Sequence, residues 1–218
     1  MKVDKHYIDI SPVVSEKMAV FPGDVAYKRS LHMSVDDGDH IGLSSIECTV
    51  HLGAHADAPS HYGAKEKGIH EVGLEPYMGK AQVIHVKLDR GERILPKHIE
   101  DKEINASRVL FRTDSFPNPN EWNGDFNSLS PELLEYLFEK SVVLVGIDTP
   151  SVDPAESKAL ESHQVLLKRD IRVLEGIVLT EADEGFYQLI ALPLSLKDAD
   201  ASPVRAILMS ENEDLSQR

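Results

Sequence analysis

Short apolar and β-branched runs recur along the whole chain, at Tyr7 to Ile10, Gly42 to Val50, Ala81 to Leu88, Arg108 to Arg112, Val142 to Ile147, Arg172 to Glu175, Phe186 to Leu192 and Val204 to Met209. Runs of this length, separated by Gly, Pro, Asp and Ser, are the pattern of strands, and they leave little room for an all-helical fold. The clearest helical stretch is Ser130 to Lys140. There Ser130 suits the N-cap, Pro131 the first helical position, and Leu133, Leu134, Leu137 and Phe138 form one apolar stripe. A second helix is predicted from near Ser157 to about Lys168. Helices scattered among many strands without strict alternation predict an α/β or α+β architecture, a mixed sheet with packed helices, and a β/β/α layered domain is favoured. With 218 residues, one domain can bury roughly 70% of the unfolded surface. We expect a single domain over 1–210 and a frayed acidic tail over 211–218, where apolar periodicity is lost.

The formal charge of −14 and the lack of a Lys/Arg block argue against nucleic acid as a partner. The start, MKVDKHYIDISP, has no signal-peptide apolar region, and no apolar run is long enough to span a membrane, so a cytoplasmic protein without membrane association is expected. The lone cysteine, Cys48, excludes an internal disulfide and, within Ile46 to Val50, reads as a small buried strand residue rather than a nucleophile. Asp114 to Asn127, with Pro117, Pro119, Trp122 and Gly124, is too irregular for an element and too long for a simple turn. It is either an active-site flap or a surface excursion.

Chemistry is concentrated in His51-Leu52-Gly53-Ala54-His55-Ala56-Asp57-Ala58-Pro59-Ser60-His61, three imidazoles and one carboxylate in eleven residues. These are ligand types that a borderline metal such as Zn²⁺ takes, and closeness in sequence lowers the entropy of bringing them together. Gly53 permits unusual backbone angles, and Pro59 disfavours helix at Ala58, so the segment is expected to be a loop wrapping a metal after the preceding strand. A closed structural zinc site, usually rich in thiolates, fits poorly with one cysteine in the chain. Gly146 to Pro154 has the turn chemistry of a ligand-bearing loop at a strand end. Read singly, His163 suits a helix surface and Glu175 an exposed strand end.

Taken together, the His51 to His61 motif, Phe21-Pro22-Gly23-Asp24, Ser151-Val152-Asp153-Pro154, His163, Leu174 to Leu179 and Ser202-Pro203-Val204-Arg205-Ala206 resemble the cyclase-like metal hydrolase family, and within it the bacterial kynurenine formamidases (arylformamidases). The likeness runs in order over nearly the whole chain. It implies the swivelling β/β/α fold of that family and two zinc ions per subunit. His51, His55 and Asp57 would hold one ion, and Asp57 would bridge to a second held by His163 and Glu175. It also implies that His61 is the general acid/base, that Phe21, standing where these enzymes usually have tryptophan, contacts the substrate's ring, and that the protein is a homodimer or higher homo-oligomer.

The implied reaction is hydrolysis of N-formyl-L-kynurenine to L-kynurenine and formate in tryptophan breakdown. Two metals and an imidazole suit it, since a metal lowers the pKa of a bound water and the imidazole can protonate a departing arylamine. A His/Asp/Glu donor set also admits manganese or another divalent ion. The rival readings are a cyclic-amide hydrolase of the isatin hydrolase type and a non-catalytic metal-binding homologue. No G-x-S-x-G elbow is present to support a serine hydrolase.

Overall fold

The computed structural model describes residues 7–210; the tail expected to fray, 211–218, and the first residues of the chain, 1–6, lie outside the described residues. The elements are β1 (Tyr7–Asp9), β2 (Lys28–Met33), β3 (Leu43–Glu47), β4 (His55–Asp57), β5 (Met78–His85), β6 (Arg93–Ile94), β7 (Arg108–Arg112), β8 (Ser128–Leu129), α1 (Pro131–Glu139), β9 (Leu144–Ile147), α2 (Glu161–Arg169), β10 (Arg172–Glu175), β11 (Gly185–Ile190), β12 (Ala201–Pro203) and β13 (Ile207–Ser210).

Nine strands form one mixed sheet in the order β1-β13-β11-β5-β7-β9-β10-β4-β12. Its centre, β5-β7-β9-β10, is parallel, and the strands on either side are antiparallel. Parallel strands buried on both faces should be apolar in their interiors, as Val109-Leu110-Phe111 of β7 and Val173-Leu174 of β10 are. Along β7, Val109 and Phe111 face one core while Leu110 faces the other; along β10, Val173 and Leu174 divide in the same way. One core lies between the sheet and helices α1 and α2, and contains Leu133, Leu134, Leu137 and Leu166. The other covers the opposite face and includes Ala54, Ala56 and Ala58 beside Leu174 and Leu208. The mixed sheet with packed helices predicted from the sequence is therefore present.

Helix α1 starts as its sequence dictates. The Ser130 hydroxyl accepts from the Leu133 amide at 3.1 Å, and Pro131 occupies the first turn. Phe138, however, is not part of the buried stripe. It is 41% exposed and lies beneath the Arg169 guanidinium, 4.7 Å from its ring centroid. Helix α2 begins at Glu161 rather than near Ser157, because Leu160 takes a left-handed conformation (φ 49°) and the Ser157 hydroxyl accepts from the Leu160 amide. Cys48 also departs from expectation: it follows β3 instead of lying within it and is half-buried, since β3 pairs only with β2 in a two-stranded ribbon apart from the main sheet.

Leu134→Ala should destabilise the fold by about 2–5 kcal/mol in urea unfolding, as removal of a fully buried leucine does, while Phe138→Ala should cost under about 1 kcal/mol.

Candidate metal centre

The His51 to His61 segment is not a loop throughout. Ala54, Ala56 and Ala58 turn into the apolar core, so His55 and Asp57 project from the opposite face of β4. The alternation Ala-His-Ala-Asp-Ala is a strand pattern with ligands on one face and small apolar residues on the other. Gly53 precedes the strand with φ 57°, and its carbonyl oxygen accepts from His55 Nδ1 at 2.8 Å, which leaves Nε2 directed at the carboxylates. Pro59 opens a 3₁₀ turn that ends on His61.

Antiparallel pairing of β10 with β4 puts Glu175 directly opposite His55. Side chains opposed in this way lie on one face about 5 Å apart at Cβ, and Glu175 Oε2 is 3.3 Å from His55 Nε2. Gly176, next in sequence, has φ 64° and crosses so close to Gly53 that an added Cβ would come within 2.2 Å of the Gly53 carbonyl oxygen. His163 arrives from the first turn of α2, buried rather than on a helix surface, with Nε2 3.5 Å from Asp57 Oδ2 and 3.4 Å from Glu175 Oε1. Asp57 thus turns Oδ1 toward His51 Nδ1 (3.1 Å) and His55 Nε2 (3.5 Å) and Oδ2 toward His163.

The loop from Asp148 to Pro154 supports this cluster. The Val152 amide donates to Glu175 Oε1 at 2.7 Å, and Asp153 Oδ2 accepts from His163 Nδ1 at 2.8 Å. The same carboxylate accepts the Ser162 and His163 amides and pairs with Arg93, so it also caps α2. Burial alone would raise the Asp153 pKa, but the His163 ring and these amides hold it below the usual carboxylate range.

Asp57 and Glu175 are two buried carboxylates facing three imidazoles. Burial opposes their ionisation, yet His163 and His51 bring Asp57 well below its ordinary range; for Glu175, where the Asp57 charge adds to the opposition, His163 and His55 still bring it lower. Burial also opposes a charged His51, but the facing Asp57, Asp200 and Glu175 push it up to about 9. Both Asp57 oxygens and His163 Nε2 are buried without a hydrogen-bond partner. Buried polar atoms seldom lack one, and these three meet where β4 faces the first turn of α2. They fit a divalent cation, which the imidazole and carboxylate donors suit.

His61 is exposed. Its Nδ1 is 3.3 Å from Asp200 Oδ2, and its ring centroid is 4.2 Å from that of His51. Possible ligand atoms of His51, Asp57 and His61 lie within 4.8 Å of one another, as do those of His55, Asp57 and Glu175, so the structure brings His61 into the cluster as well. Asp200, which also meets His51 Nε2 at 3.0 Å, received no role from the sequence. Asp153 stands within the Gly146 to Pro154 loop but had no role of its own there, and Asp200 was inconspicuous because it orients imidazoles of a distant segment.

A cavity of about 820 Å³ opens over the centre and is lined by His51, His55, His61, His163, Glu175 and Asp200. Phe21 lies on its wall, and so do Phe116 and Trp122, which makes the 114–127 segment part of the site rather than a surface excursion. A His/Asp/Glu cluster that could hold a metal ion, lining a cavity of this size, is the arrangement of a metal-dependent enzyme. The family described as putative cyclase matches residues 8–154. A kynurenine formamidase of Polaromonas naphthalenivorans is 50% identical over 92% of this chain and 89% of its own length. One from Bordetella petrii is 48% identical over 94% and 98%, respectively. A solved structure described as a potential metal-dependent hydrolase with cyclase activity shares the fold at a TM-score of 0.82, with 24% identity over 95% of this chain and 98% of that one. The chain belongs to the putative cyclase family, among its kynurenine formamidases.

Removing the carboxylate that holds His163, in Asp153→Ala, should weaken metal retention about 10- to 100-fold in chelator competition. Chelation of the metal-loaded protein should lower its melting temperature, because the ion binds the folded state.

Proposed function

We propose that this hydrolase of formamide C–N bonds converts N-formyl-L-kynurenine to L-kynurenine and formate, with zinc as its metal and two ions per chain. The observation that carries the reading is Asp57, buried between two groups of ligands with neither oxygen hydrogen-bonded. His51, His55 and Asp57 would hold one ion, and Asp57, His163 and Glu175 the other. Bound there, zinc supplies Lewis acidity, acidifying water and polarising the formyl carbonyl.

The chain's own groups do the rest. Asp57 would offer one carboxylate oxygen to each group of ligands, which a neutral imidazole, with a single acceptor nitrogen, could not. His61, with Nδ1–H donating to Asp200, keeps Nε2 to take a proton from the attacking water and return it to the anilide nitrogen as the C–N bond breaks. His51 donates to the same Asp200 oxygen through Nε2, which leaves Nδ1 toward Asp57. Phe21 would contact the aryl ring.

A homodimer suits the exposed β2–β3 ribbon, whose Leu31, Leu43 and Ile46 are uncovered. The reducing cytoplasm suits a chain with one free cysteine. Among the described residues no helix is long and apolar enough to cross a membrane.

Zinc-loaded protein should release kynurenine from N-formyl-L-kynurenine in a chelator-sensitive way and act little on isatin; preference for isatin would favour the cyclic-amide reading. Asp57→Ala should lose metal and activity together. His61→Ala should keep its metal while turnover falls at least about 100-fold, and loss of metal from that variant would make His61 a ligand instead.

A further inference from the structure

The 114–127 segment has little regular structure, yet it is pinned at several points. Asp148 accepts from the Thr113 and Asp114 amides, and the Ser115 hydroxyl accepts from the Asn127 amide at 2.8 Å. Asn127 Nδ2 donates to the carbonyls of Asp89 (2.6 Å) and Glu92 (3.1 Å), and the Ala19 amide donates to the Pro119 carbonyl at 2.9 Å. The last of these bonds ties the segment to the stretch that carries Phe21. Trp122, the only tryptophan of the chain, stands at its centre with its ring 4.8 Å from that of Phe21 and inclined by 68°. Phe116 and buried Phe126 support the indole at 6.1 and 6.0 Å.

We propose that Trp122 is a specificity-determining residue that forms, with Phe21, a two-ring corner selecting planar aryl amides. Two rings at this inclination make an L-shaped apolar notch on the cavity wall. A flat ring laid against one of them meets the other edge-on, the arrangement that aromatic quadrupoles favour. A saturated ring of equal size has neither a flat face to stack nor an edge of the same polarity. Because the segment is already pinned, little ordering is needed when the ligand enters. The inference takes its ligand class from the formamidase reading but does not depend on turnover.

Binding can be read from Trp122 itself, whose fluorescence is unmixed with that of any other tryptophan. The metal-loaded protein would be titrated with acetanilide and, separately, with N-cyclohexylacetamide, which differ in the aromaticity of the ring. Acetanilide is expected to change the emission saturably at a concentration roughly tenfold lower than the cyclohexyl compound requires. No saturable change, or equal half-saturation by the two, would overturn the proposal. Kinetics on N-formyl-L-kynurenine supply the second readout. Trp122→Leu should raise KM about tenfold with kcat within about threefold and metal content unchanged, and Trp122→Phe should recover most of the loss. An unchanged KM in Trp122→Leu, or a fall in kcat without a rise in KM in both variants, would also overturn it. If the wild-type protein binds acetanilide selectively but does not hydrolyse N-formyl-L-kynurenine, the aryl corner stands and the proposed reaction falls.

Discussion

The centre depends above all on the register between β4 and β10. Their antiparallel pairing sets Glu175 against His55 and leaves Asp57 one pleat along the same face. A shift of one residue would reverse every side chain, turning Ala56 toward the cavity and the ligands into the core. The register is held from both sides: the alanines at 54, 56 and 58 pack into the apolar core, and the Gly53–Gly176 crossing admits no side chain. The chemistry is thus tied to ordinary sheet packing.

Much of this could be read from the residues. The strand-rich mixed architecture follows from recurring apolar runs, and α1 from a Ser-Pro start with a leucine stripe. The motif from His51 to His61 marked the site, and family likeness added His163 and Glu175, which spacing alone could not join to it because they lie more than a hundred residues away. Other features depend on tertiary contacts. Phe138 falls outside the buried stripe and lies against the Arg169 guanidinium of α2 instead. The motif's strand is marked only by the alternation of Ala54, Ala56 and Ala58, whose small side chains give a weak apolar signal. β2 has charged and polar residues on an exposed ribbon, so it lacks the apolar signal of the sheet strands.

Residues that position others are the least visible in sequence and the most shared in structure. Asp153 both caps α2 and fixes the His163 ring, so the helix cannot start properly without the ligand being aimed. The Val152 amide beside it holds Glu175. Two consecutive residues of one loop therefore orient ligands from a helix and a strand, and the ordering entropy of both is met when the loop folds. Aspartate 148 does the equivalent for the cavity wall, accepting amides from the segment that leads to Trp122.

The strand bearing His55 and Asp57 would be the last of the sheet were it not for β12, only three residues long, with Pro203 opposite His55. A sheet margin with free amides and carbonyls invites a foreign chain to pair with it, and a short strand containing proline discourages that. The same three residues begin immediately after Asp200, whose carboxylate joins His51 to His61. Protection from intermolecular strand addition and closure of the site are therefore one structural event, so peeling away β12 would expose a sticky margin and loosen both imidazoles together.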